Sequence, residues 1–193
     1  GKLAVSLDDY VARMPEGQKR IYYLGGPDLA AIEKNPNLEV FRKRKLEVLY
    51  LTEPVDEFVM SALGQYGGKP LTSIDSADLD LPDAPEDAEE KPESAEESTS
   101  EAGFNRVLEL FREAVGDRVR EVRESKRLTD SPCCLVNADG GYTTQMQRIL
   151  KMANQQVPET SRIFEINPKS PLIRRLSRLT ANTEHDALIK QCG

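Results

Sequence analysis

The features best suited to chemistry are one histidine, three cysteines and the strand-to-helix glycine turn at residues 25–28. His185 sits in the polar stretch NTEHDAL with no second histidine, so no Ser-His-Asp or Cys-His relay can be argued around it. A four-ligand zinc shell would need a second His or a CxxC pair, and the sequence has neither. Cys133 and Cys134 are adjacent, closer than disulfide geometry tolerates. On a strand their side chains alternate, one thiol pointing into the core and one away, which reads first as packing and second as a redox or modification site. Gly25-Gly26-Pro27-Asp28 follows an apolar strand and opens a helix, a position that can cradle phosphate. Two adjacent glycines make neither GxGxxG nor a Walker loop, and Asp28 would repel an anion, so the turn reads as structural. The basic run Arg42-Lys43-Arg44-Lys45 reads as a solvated helix C-terminus, where cations suit the helix dipole, with partner binding as its alternative. No residue is assigned a catalytic, cofactor-binding or metal-binding role.

The remaining chemistry is that of binding. In SKRLTDSPCCLVNADGGYTTQMQRIL, residues 125–150, an apolar strand and a Gly-Gly turn lead into a helix. Tyr142, Met146, Ile149 and Leu150 lie on one side of it at helical spacing. An apolar stripe is ordinarily core. Here it contains a Met and a Tyr and is bordered by Thr143, Thr144, Gln145 and Gln147 rather than by charges, which suits an adaptable contact surface.

The elements that must position these residues follow from pattern. Ser6 caps a first helix, with Asp9 as a weaker capping-box partner and an apolar face of Leu7, Tyr10, Val11 and Met14. Strands are expected at 20–24, 46–52 and 69–75, with helices at 28–34, 37–45 and 55–65 between them. This alternation predicts an α/β fold: a small parallel βαβαβ sheet with flanking helices. The apolar positions Phe104, Val107, Leu108, Leu110, Phe111 and Val115 predict a strong amphipathic helix stopped by Gly116. Strands at 117–127, 132–137 and 161–166 and helices at 141–154 and 170–179 then give a second, mixed α+β domain.

Composition separates the two halves. The net charge is −7, but residues 75–101 carry twelve acidic side chains against one basic. Residues 1–74 are balanced, and 102–193 are net positive. The acidic segment, with Pro82, Pro85 and Pro92, reads as linker or disorder, with a helix able to begin after Pro92. An acidic chain is a poor candidate for nucleic acid, which is bound through clustered Lys and Arg. No apolar run approaches a membrane span, no signal peptide opens the sequence, and the odd cysteine count fits a reducing compartment, so the expected location is cytoplasmic. The absence of an initiator Met, and an end at LIKQCG inside a helical pattern, suggest a piece of a longer protein.

The motifs SLDDYVARMPEGQKRIYYLGG, LEVLYLTEPVDEFVM and RLTDSPCCLV, with Gln145-Met146 spaced before IFEINP, span nearly the whole chain. In that order and spacing they resemble the C-terminal half of the ninety-kilodalton heat-shock chaperones in their bacterial form. The resemblance implies that residues 1–75 are the end of the α/β/α middle domain. It implies that 76–101 are an acidic linker or the start of a connecting helix running over 83–115. Residues 102–193 would be the C-terminal dimerisation domain without its last helices. It implies a non-catalytic part of an ATP-driven chaperone: ATP and Mg belong to the full-length family, whose ATP-binding domain and catalytic Arg loop are not in this sequence. The implied partners are partly folded client proteins and, for the full-length family, a second copy in a homodimer, with no nucleic acid and no membrane. Client contacts carry over to Glu57 and Phe58 on one side of a cleft and to Tyr142, Met146, Ile149 and Leu150 on the other. Many members carry Trp where this chain carries Phe58. The alternative is a dedicated protein–protein interaction scaffold that binds one defined partner.

Overall fold

A computed structural model describes residues 5–82, 100–138, 141–156 and 161–192. The acidic segment 83–99 and Gly140 of the Gly-Gly turn lie outside the described residues. The chain divides into two compact units, Gly1–Glu89 with Asp139–Thr160, and Glu90–Ala138 with Ser161–Gly193.

In the first unit, Ser6 caps α1 (Leu7–Arg13) in a full capping box, its side chain accepting from the Asp9 N–H and its N–H donating to the Asp9 carboxylate. The buried Tyr10 ties this helix to the sheet. Its hydroxyl donates to the Glu47 carbonyl at 2.8 Å and accepts from the Gln18 amide at 3.0 Å and the Tyr22 N–H at 3.1 Å. The sheet contains β1 (Ile21–Gly25), β2 (Leu49–Leu51), β3 (Gln65–Tyr66) and β4 (Lys69–Ser73), in the order β2-β1-β4-β3. β1 pairs parallel with β2 and β4, as the βαβαβ pattern predicts. β3 is an addition: it pairs antiparallel with β4 across Gly67-Gly68, both at positive φ, the two-residue hairpin turn that glycine adopts without strain. One face packs Tyr22, Leu24 and Ile74 against Ile32 of α2 (Leu29–Glu33), Leu38, and Val40 and Phe41 of α3 (Glu39–Lys43). The Tyr22 and Phe41 rings meet edge-on at 4.9 Å.

The crossover from β2 to β4 runs through α4 (Pro54–Leu63). β1 lies between its sequence successors, so the strand order reverses at the carboxyl ends of β1 and β4, the switch point of an open parallel sheet. α6 (Thr144–Met152) belongs to this first unit and packs on α4 and β1.

The second unit begins with α5 (Glu101–Val115). Ser100 is extended and its side chain accepts from the Gly103 N–H, so α5 starts with an N-cap there; the earlier part of the connecting helix implied over 83–115 lies outside the described residues. The sheet is β5 (Glu121–Glu124), β6 (Cys133–Asn137) and β7 (Arg162–Ile166), with β7 central, parallel to β5 and antiparallel to β6. Phe104, Val107, Leu110 and Phe111 of α5 pack on Val122, Phe164 and Ile166, and on Ile173 and Leu176 of α7 (Pro171–Leu179). Any side chain at Gly103 would strike Ser177, so glycine sets how closely α5 approaches α7. The expected strand 117–127 is shorter because Gly116, at positive φ, ends α5 in a 3-10 turn over Gly116–Arg118.

The polar end of the chain forms one more helix, α8 (Asp186–Lys190). Ile189 is buried in the core, Arg106 holds Asp186 at 2.7 Å, and Glu113 holds Lys190 at 2.6 Å. The sequence reads a helical pattern at LIKQCG, and α8 takes in the first three residues of that stretch, ending at Lys190.

Candidate binding surface

Residues 54–63 form a helix because Pro54 fixes the first turn, Asp56 and Glu57 suit its positive end, and Gly64 stops it at positive φ. Its faces differ sharply. Val55, Phe58, Val59 and Leu63 are exposed, Phe58 at 47%. Their spacing of 3, 1 and 4 makes one apolar stripe facing solvent, which a helix packed only for stability would bury. Glu57, on the opposite side, is 1% exposed.

The Glu57 carboxylate lies over Gly25, where a Cβ would overlap it and would crowd the Gln145 Cβ as well. One oxygen accepts from the Thr143 hydroxyl at 2.7 Å. The other, Oε1, is buried without a hydrogen-bond partner among the described residues. Burial raises the pKa of this carboxyl, the Thr143 hydrogen bond opposes the shift, and the nearby charges of Asp75 and Asp56 add to it. Burial, with the charges of Glu57 and Asp75, also raises the Tyr23 hydroxyl. Asp75, just past β4 and buried, accepts from the Ser73 hydroxyl and, at 2.8 Å, from the backbone N–H of Thr144.

α6 meets these groups with its N-terminus. Thr143 is the N-cap, its side-chain oxygen accepting from the Met146 N–H at 3.0 Å. Tyr142 therefore precedes the helix rather than lying on its face, and it is 44% exposed. Met146 is 5% exposed, and Ile149 and Leu150 are half-buried. The stripe is graded: Tyr142 open, Met146 covered, Ile149 and Leu150 between. Gln147, read as part of a polar rim, is buried and donates to the Tyr142 carbonyl at 2.9 Å.

A family model described as Hsp90 protein matches residues 1–193. The chain belongs to the Hsp90 family. It is 46% identical over 175 residues to the chaperone protein HtpG of Geobacter sulfurreducens, covering 91% of this chain and 26% of that protein. It is 45% identical over 173 residues to the chaperone protein HtpG of Idiomarina loihiensis, covering 90% and 26%. Against that of Alkalilimnicola ehrlichii it is 46% identical over 172 residues, covering 89% and 26%. The chain spans about a quarter of the length of these relatives.

Within this Hsp90-family chain, four of the six expected contact residues have exposed or half-exposed side chains: Phe58, Tyr142, Ile149 and Leu150. Glu57 and Met146 are buried. Asp75 joins the site without having been read as part of it, as do Thr143, read as polar rim, and Gly25, read as a structural turn. Thr143 carried a local signal, a Thr ahead of a helical stretch, but Asp75 and Glu57 reach α6 across 69 and 86 positions of sequence.

The other candidates resolve as structure. Asp28 caps α2 by accepting from the Ala31 N–H, and Gly26 has no room for a Cβ beside Ile32, so the Gly25–Asp28 turn is filled by the chain's own groups and does not fit a phosphate. Arg42 donates to the Glu33 carbonyl and Arg44 to that of Pro82. Cys134 is buried opposite Glu165, while Cys133 packs on the second core with its thiol pKa pushed up by burial, the reverse of an activated thiolate. Among the described residues, no helix is long and apolar enough to cross a membrane, and no group of three His, Cys, Asp or Glu side chains is placed to hold a metal ion.

Proposed function

We propose that this chain is the client-binding portion of an ATP-driven, dimeric chaperone, and that it takes up partly folded proteins on the exposed stripe of α4 and the open side of α6. The observation that carries this reading is the solvent-facing run Val55, Phe58, Val59 and Leu63 on a helix that packs against α6. Partly folded chains expose apolar side chains without fixed geometry. A shallow stripe of aromatic and branched residues, joined by Tyr142, Ile149 and Leu150, recognises such surface weakly and in many arrangements. The Gly25–Asp28 turn is filled by the side chains of Asp28 and Glu57. ATP and Mg belong to the full-length protein, as does the homodimer.

The test is a titration of a fluorescent, thiol-blocked unfolded protein into this chain and into Phe58→Ala and Ile149→Asp, each fold checked by circular dichroism. Several unrelated unfolded proteins should bind, and both variants should bind several-fold more weakly while remaining folded. Binding of a single partner from a panel would instead support a dedicated scaffold.

A further inference from the structure

We infer that Asp75, Glu57 and Thr143 are positioning residues that hold the N-terminus of α6 on the first unit, and through it set how Tyr142, Ile149 and Leu150 are displayed. The inference rests on the client-binding reading for its last step only.

A helix begins with N–H groups that have no partner within the helix, together with the positive end of its dipole. At α6 these needs are met partly from distant sequence. Asp75 takes the Thr144 N–H, and Thr143 takes the Met146 N–H. Thr143 also spends its own proton on Glu57, so one hydroxyl joins the helix cap to α4. Two carboxylates from different elements thus converge on one helix terminus at the switch point of the sheet. The seat is shaped for them. Gly25 leaves space for the Glu57 carboxylate, and Ser73 fixes the other oxygen of Asp75 at 2.5 Å.

This geometry gives Glu57 a different part from that of a direct contact. At 1% exposure it offers nothing to a client, and its bound oxygen faces Thr143. The unpartnered Oε1 makes the seat less than fully satisfied, so its attachment to α6 depends on the Thr143 hydroxyl. Asp75 carries the complementary contact to the backbone N–H of Thr144, which no side-chain change on α6 short of proline at 144 removes.

The experiment uses the full chain and four variants: Thr143→Val, Thr143→Ser, Asp75→Asn and Glu57→Gln. Hydrogen exchange is followed at the amides of residues 144–149, with β7 amides as the reference for the second unit, beside the affinity for reduced, carboxymethylated lactalbumin. Thr143→Val and Asp75→Asn should exchange α6 amides about five- to tenfold faster, the scale of a lost N-cap, with β7 unchanged. Glu57→Gln should give a smaller increase, and Thr143→Ser, which keeps the hydroxyl, should restore wild-type exchange. Affinity for the unfolded probe should fall in the same order and return with Thr143→Ser. Unchanged α6 exchange in Thr143→Val and Asp75→Asn would overturn the positioning role. Faster exchange with undiminished probe affinity would overturn its link to display. Failure of the unaltered chain to bind the probe would sink the client-binding reading, while the exchange data would still decide the positioning role.

Discussion

Among the described residues each unit buries one glutamate, and the two are treated in opposite ways. Glu165 of β7, 2% exposed, is surrounded by donors: Arg123 at 2.7 Å, Arg127 at 2.9 Å and the Ser125 hydroxyl at 3.1 Å. Arg127 is itself buried, so neither member of that pair has water to fall back on. Glu57, equally buried, has one neutral hydroxyl and one oxygen with no partner among the described residues. The first arrangement is strong once formed and costly to break, because removing either partner strands a charge in a low-dielectric interior. The second adds little to the fold and makes the contact it holds easier to release. A rigid staple sits in the second unit, and a lightly held contact sits where the proposed binding helix joins its support.

The largest effect should come from Glu165→Ala. Removing the carboxylate to which the buried Arg127 donates should cost about 3–5 kcal/mol, read as a fall in the urea midpoint of the second unit's transition. A loss below about 1 kcal/mol would erase the contrast between the two sites. Gly25→Ala should rank next. Its methyl must displace the Glu57 carboxylate, an overpacking cost of roughly 1–3 kcal/mol, seen as a lower Tm with faster exchange in α6.

Glu57→Gln should change stability less, and mainly through its pH dependence. The folded carboxyl has a raised pKa, so the fold binds that proton more tightly than the unfolded chain does. Its contribution is fully present below the ordinary carboxyl range and is lost as pH rises through the folded value. Wild type should therefore lose stability from this group over that interval, and Glu57→Gln should not. Parallel pH–stability curves for the two would contradict the assignment. The smallest change should follow Arg13→Ala. The Arg13–Glu47 pair is well formed at 2.7 Å but exposed on both sides, and surface pairs contribute about 0–1 kcal/mol.

Features set by neighbouring residues were legible in the sequence. The Ser6 capping box, the apolar stripe of α5, the Gly116 stop and the parallel alternation of β1, β2 and β4 all follow from local spacing. The Gly67-Gly68 hairpin was also legible in principle, since adjacent glycines two residues from a strand are its signature. Long-range pairing hid the rest. Nothing around Asp75 indicates a helix N-terminus 69 residues away, and nothing in EHDALIK shows that Arg106 and Glu113 will pin it to α5. The graded exposure of the α6 stripe was hidden for the same reason: spacing names the residues on one side of a helix, and only packing decides that Met146 is covered and Tyr142 open.

The most direct test of the binding surface is site-specific photo-crosslinking. A photoreactive phenylalanine analogue would replace Phe58, Leu150 or, as an exposed apolar control in the second unit, Leu188, before irradiation with an unfolded protein. Adducts at positions 58 and 150, with only background at 188, are the expected result. Adducts at 188 equal to those at 58 and 150, or none at 58 and 150 while the unaltered chain binds the same protein, would contradict it.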